Sequence, residues 1–169
     1  MDRQKRRAVS REYFSRDRLA EHHFRSFNSF LERGMQRVVD EKESIETDIG
    51  DKEGQEPVRV DLADVRVETP RVREADGSEE LLYPQEARLR NITYSAPVFM
   101  EMDIVRGGEE EPEQVVDTAE TKIGRMPIMV GSSKCNIHDF SDEELIEIGE
   151  DPADPGGYFI VNGSERVLM

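Results

Sequence analysis

The chain has 169 residues, enough for one domain, with 36% hydrophobic and 36% charged side chains and no tryptophan, so burial has to be concentrated in a few segments. No run approaches the ~18 apolar residues of a membrane span, the N-terminus MDRQKRRAVSREYF lacks an apolar signal region, and the single Cys135 excludes an internal disulfide. These features predict a cytoplasmic protein with no membrane role. The 38 Asp and Glu outweigh the 23 Lys and Arg, and unevenly: residues 1–39 hold 10 basic and 5 acidic side chains, residues 40–169 hold 13 and 33. The acidic part argues against phosphate binding, yet scarce lysine and dense carboxylate also suit solvation in a high-salt cytosol. The net charge therefore excludes no nucleic-acid role.

Residues 16–43 carry Ala20, Phe24, Phe27, Leu31, Met35 and Val38 at three- and four-residue steps, widened by Phe30 and Val39. The spacing predicts an amphipathic helix with Ser15 as cap. Gly34 either ends it and lets it restart, or is carried inside it at a cost of about 1 kcal/mol. Val58, Val60 and Leu62, then Val65 and Val67, alternate with polar residues as half-buried strands do, and Pro70 marks a strand end. Ala75-Asp76-Gly77-Ser78 supplies a turn before Glu80-Leu81-Leu82-Tyr83, and a short helix is expected over 85–90. Strands are expected at 92–94 and 98–105, broken at Ala96-Pro97, with a loop over 106–114 and a return strand over 122–130. Ser141 and Glu144 fit a capping box opening a short acidic helix that Gly149 ends. Two Asp-Pro steps and Gly156-Gly157 lead into a closing hairpin, 158–161 and 166–169, turned by Asn162-Gly163.

Catalytic chemistry is harder to find. Cys135 and His138 form one C-x-x-H pair without a second pair at ligand spacing, and His22 and His23 read as helix residues. Neither Ser164 nor Cys135 has a neighbouring base that would make it a nucleophile. The carboxylates at 109–111 and 142–144 are accounted for by a loop tip and a helix start without a metal. The residues alone thus give an α+β chain: an N-terminal amphipathic helix, then mixed or antiparallel β hairpins with short helices.

Three segments go further. EARLRNITYSAPVFMEM (86–102), IGRMPIMVGSSKCNI (123–137) and DPGGYFIVNGSERVLM (154–169), in this order, resemble the N-terminal part of the second-largest subunit of multisubunit DNA-directed RNA polymerases. The helix HHFRSFNSFLERGMQRVV resembles that subunit's opening helix. The wording is similar to the archaeal B''-type form of the subunit, and with the acidic, lysine-poor composition to that of a salt-loving archaeon. The resemblance implies a basic leader and helix over 1–43 and a β-rich, protrusion-like domain over 44–169, incomplete at its C-terminal end and marginal at its last hairpin. It implies a place in the wall of the DNA and RNA–DNA hybrid cleft, with the rest of the second-largest subunit, the largest subunit and template DNA as partners. It also implies no catalytic residue and no cofactor bound by this chain, Mg²⁺ being held by the largest subunit. Arg166 and Asn162 are the candidates to face nucleic acid, against an alternative in which Arg166 pairs with an acid of its own subunit. Two other readings are a truncated or paralogous interaction module that binds polymerase subunits and, more remotely, a free-standing metal hydrolase using Cys135, His138 and the carboxylates.

Overall fold

The computed structural model describes residues 3–13, 19–42, 44–47, 58–106 and 114–168. The order is helix α1 (Arg3–Tyr13), α2 (Glu21–Ser29), a π-helical turn (Phe30–Gly34), α3 (Met35–Asp40), β1 (Ile45–Thr47), β2 (Val58–Val67), β3 (Arg71–Arg73), β4 (Glu79–Leu81), α4 (Pro84–Leu89), β5 (Ser95–Arg106), β6 (Gln114–Pro127), α5 (Asp142–Glu147), β7 (Phe159–Val161) and β8 (Ser164–Arg166). This is the α+β mixture expected from the sequence. The expected cap Ser15 and the loop carboxylates 109–111 lie outside the described residues. The chain divides into two compact units, one of residues Met1–Ser29, Glu68–Ala96 and Met126–Met169, the other of Phe30–Val67 and Pro97–Arg125.

The second unit is built on a sheet of order β1-β2-β5-β6, with β2 antiparallel to both β1 and β5. The β2–β5 register pairs Val58 with Arg106 and Val67 with Val98, and slips between Leu62 and Val65. The apolar alternation changes phase at the same place, from Val58, Val60 and Leu62 to Val65 and Val67, because a bulge inserts one unpaired residue. Gln36 on α3 occupies the break: its Nε2 donates to the Ala63 carbonyl at 2.7 Å, and its Oε1 accepts from the Val65 amide at 3.0 Å. Backbone groups that the ladder loses are thereby paired, as buried polar groups require. Pro97 precedes the ladder with β2, which starts at Val98, so β5 runs through it instead of breaking.

Gly34 lies inside helical backbone, at φ −67° and ψ −42°. A Cβ there would stand 2.8 Å from Phe30 Cδ2, so glycine serves packing and not a cap. The π turn holds one residue more than an α turn, and the apolar stripe slips by one: Val39 is buried while Val38 is exposed.

The first unit has its core in Leu82, Ala87, Tyr94, Ile128, Leu145 and Ile160, each 2% exposed or less. Three extended segments lie alongside one another. Tyr94 donates its amide to Ile160 O, Ile128 donates to Tyr94 O, and Val130 donates to Tyr158 O. Tyr94, Ile128 and Val130 thus bond to neighbouring segments, but the strands expected over 92–94 and up to 130 do not form there: β5 begins only at Ser95, β6 ends at Pro127, and Val130 opens a turn. From α2, the Phe27 ring meets Phe159 edge-on at 5.3 Å, and Asn28 Oδ1 accepts from the Ser133 amide and hydroxyl.

Helix α5 carries the expected box: Ser141 Oγ accepts from the Glu144 amide and the Glu144 carboxylate accepts from the Ser141 amide at 2.7 Å. The Ser141 amide and hydroxyl hold the Glu144 carboxyl below its ordinary value. Ser141→Ala is expected to cost about 1 kcal/mol and to speed hydrogen exchange at the Glu144 and Leu145 amides, with little change elsewhere.

Candidate nucleic-acid interface

The closing hairpin starts from residue types that leave few alternatives. Asn162 (φ 50°) and Gly163 (φ 74°) both take the left-handed region a two-residue hairpin turn needs. Gly163 also approaches the end of α4 too closely for a side chain: a Cβ would lie 2.8 Å from Asn91 Cα, and its amide donates to Ile92 O at 3.1 Å. Thr93 Oγ1 accepts from the Asn162 amide at 3.1 Å and donates to Asn162 Oδ1 at 3.3 Å. The turn is thus fastened to the segment that follows α4.

The register pairs Phe159 with Arg166, Ile160 with Glu165 and Val161 with Ser164. Side chains alternate across a strand, so Glu165 and Arg166 belong to opposite faces. Glu165 reaches Arg88 on α4, Oε1 to Nε, at 3.0 Å. Arg166 is exposed, and its guanidinium has no ion-pair partner among the described residues. The acid of the pair is held within the unit while the base is left outside it.

Arg88 organises what lies beneath. Its Nη1 donates to Glu150 Oε2 at 3.0 Å and to Gln85 Oε1 at 3.3 Å, its Nη2 donates to the Tyr158 hydroxyl, and that hydroxyl donates to Asp154. Glu150 Oε1 also accepts from the Gln85 amide. The Arg88 side chain is 20% exposed and that of Glu150 only 5%. Burial alone would lower the Arg88 pKa, but Glu150 and Tyr158 together outweigh it and hold the guanidinium more firmly charged; burial pushes the Tyr158 phenol up. Four segments, α4, residues 150–154, Tyr158 and the hairpin, are joined through one side chain. Sequence reasoning missed this network because Glu150, Tyr158 and Glu165 lie 62 to 77 residues from Arg88; the only signal was the EARLRN wording.

A second buried set lies around Tyr94, whose hydroxyl accepts from the Asn136 amide at 2.9 Å and contacts Cys135 Sγ at 3.3 Å. Asn136 Nδ2 donates to the carbonyls of Pro70 and Leu82, closing the base of the β3–β4 hairpin. Burial pushes both the Tyr94 phenol and the Cys135 thiol up, which keeps the thiol protonated and unreactive. His138 Nδ1 lies 3.1 Å from Gly131 O, so Cys135 and His138 make separate contacts. Among the described residues no group of three or more His, Cys, Asp or Glu is placed to hold a metal ion, and no helix is long and apolar enough to cross a membrane.

Comparison with known proteins bears directly on the three quoted segments. Residues 18–169 match the family model described as RNA polymerase beta subunit. The chain is 82% identical over 164 residues to DNA-directed RNA polymerase subunit Rpo2N of Halobacterium salinarum, covering 97% of this chain and 31% of that protein. It is 44% identical over 157 residues to Rpo2N of Methanothermobacter thermautotrophicus, covering 93% of this chain and 28% of that one. It is 44% identical over 158 residues to subunit Rpo2 of Saccharolobus solfataricus, covering 93% and 13%. The chain therefore spans about a third or less of the length of these curated relatives. With a family match over residues 18–169 and 82% identity to Rpo2N of Halobacterium salinarum over 97% of its length, the chain belongs to the RNA polymerase beta subunit family, as an N-terminal part of the second-largest subunit.

Proposed function

We propose that the chain works within a cytoplasmic DNA-directed RNA polymerase of a salt-loving archaeon, as the N-terminal portion of its B''-type subunit. There it forms part of the wall beside template DNA and the RNA–DNA hybrid and packs against the other subunits. It supplies no catalytic residue, and the Mg²⁺ of the nucleotidyl transfer is held by the largest subunit. The observation that carries this reading is the split of Glu165 and Arg166, one carboxylate bound to Arg88 and one cation left outward on a hairpin fixed at its turn. An exposed arginine without an ion-pair partner among the described residues suits phosphate contact, since guanidinium pairs with phosphate oxygens in a fork geometry. Asn162, at the turn of the same hairpin, has Oδ1 engaged by Thr93 and its side-chain Nδ2 without a partner among the described residues.

The test places Arg166→Gln and Arg166→Glu in the assembled polymerase and follows dissociation of stalled elongation complexes against salt. The glutamine variant is expected to reduce the log–log salt slope by about one unit, and the glutamate variant to shorten complex lifetime further. Lifetimes and slopes equal to wild type for both variants would remove Arg166 from the nucleic-acid face.

A further inference from the structure

The first helix carries an unusual charge pattern for this chain. Four of the 23 Lys and Arg, namely Arg3, Lys5, Arg6 and Arg7, fall within residues 3–9, which hold none of the 38 Asp and Glu. All seven of these residues are exposed on α1, and none of the four cations has an ion-pair partner among the described residues. Helical spacing puts Arg3, Arg6 and Arg7 together at i, i+3 and i+4, about 5 to 6 Å apart at Cβ. Like charges at this spacing weaken a helix, and an isolated helix of 11 residues is already marginal. Glu21 offsets Arg25 and Glu86 offsets Arg90 at i, i+4. Within residues 3–9 no acid stands at that spacing.

We propose that the Arg3, Arg6 and Arg7 face of α1 binds the phosphate backbone of nucleic acid, independently of the Arg166 contact. A row of guanidinium groups meets a row of phosphates without needing sequence readout. An acidic protein surface is the other anion this face could meet, but protein interfaces take their energy from a desolvated apolar or aromatic centre. The three arginines leave no apolar side chain between them, Ala8 and Val9 lying off the face by spacing. The acidic remainder of the chain does not cancel the field of the face, because charges more than about 8 Å apart are largely screened at physiological ionic strength and shorter distances suffice at higher salt.

The experiment titrates the 169-residue chain against a fluorescent 20-bp duplex and a 20-nt RNA across a salt series, comparing wild type with R3Q/R6Q/R7Q. A charge-matched control, K42Q/R73Q/K122Q, loses three cations elsewhere, and circular dichroism confirms that each variant is folded. The face variant is expected to reduce the log–log salt slope by about 2 to 3 units and the control by less than one. Equal effects of the two variants would assign the binding to net charge, and an unchanged slope for R3Q/R6Q/R7Q would leave α1 out of it; either overturns the proposal. Polyglutamate of matched charge competing as well as the duplex would also overturn it, in favour of an acidic protein partner. Arg166→Gln measured alongside separates the two sites, since each has its own slope change.

Discussion

Arg88→Met is expected to destabilise the 169-residue chain by about 3 to 5 kcal/mol, the cost of removing one partner from a buried ion pair. The magnitude follows from what is left behind. Glu150, with 5% of its side chain exposed, would retain among the described residues only the Gln85 amide as a donor to Oε1 and none to Oε2. The Tyr158 hydroxyl would keep Asp154, and Glu165, 56% exposed, would be taken up by water, so those two losses are small. Denaturant unfolding gives the free-energy change, and hydrogen exchange at residues 158–161 shows where it is felt. Glu150→Gln added to Arg88→Met removes the stranded charge and is expected to restore about 1 to 2 kcal/mol. A loss below about 1 kcal/mol for Arg88→Met, with no gain on adding Glu150→Gln, would mean that water and not Arg88 satisfies Glu150. Methionine keeps the length of the side chain, so the comparison reads charge and hydrogen bonding more than cavity formation.

The stability of this network and the presentation of Arg166 are connected. Arg88 holds Glu165, and holding Glu165 on one face fixes Arg166 on the other. A mutation at Arg88 is therefore expected to impair nucleic-acid retention in the assembled enzyme without Arg88 touching nucleic acid. The Gln and Glu variants of Arg166 separate this positioning effect, because they alter retention while leaving the unfolding free energy of the chain nearly unchanged.

Features specified within four residues were legible from the sequence. Ser141 and Glu144 are three positions apart and form the capping box; Asn162-Gly163 and the turn before β4 are set by residues that tolerate positive φ. The bulge in β2 was also written in the chain, as the phase change between Leu62 and Val65, but it reads as two short strands until a partner strand supplies the register. What was not legible depends on residues far apart in the chain. Gln36 bridges to Ala63 and Val65, Asn136 to Pro70 and Leu82, and Arg88 to Glu150 and Tyr158, each through a polar side chain with no periodic signature. Local pattern likewise placed Val38 in the helix stripe, which the π turn replaces with Val39. At the candidate site the resemblance supplied Arg166 and Asn162, whereas the internal capture of Glu165, which leaves Arg166 without an ion-pair partner among the described residues, came from the packing of α4.

Gly156→Ala is the second large effect, expected at about 2 to 5 kcal/mol, and it separates two reasons for a glycine. At φ +67° a side chain costs about 1 to 2 kcal/mol through its clash with the following carbonyl. The remainder comes from close approach, since a Cβ would lie 2.6 Å from Val130 O and 3.2 Å from Phe24 Cζ. Val130 O cannot easily withdraw, because it accepts from the Gly157 amide at 2.9 Å while the Val130 amide donates to Tyr158 O. Moving it would loosen the pairing that carries the chain into β7, and overpacking of this kind costs about 1 to 3 kcal/mol. Gly77 isolates the first reason: its φ is +91°, yet the nearest atom to an added methyl would be Arg73 Nη2 at 3.9 Å. Gly77→Ala is accordingly expected to cost about 1 kcal/mol. Gly124, with nothing within 4 Å of a Cβ and no positive φ, has neither reason, and Gly124→Ala should stay within about 0.5 kcal/mol. The order 156, 77, 124 measured by denaturant unfolding supports the close-approach account. If Gly156→Ala cost no more than Gly77→Ala, the carbonyl of Val130 would have room to yield, and the route from Asp154 into the hairpin would owe its shape to backbone conformation alone.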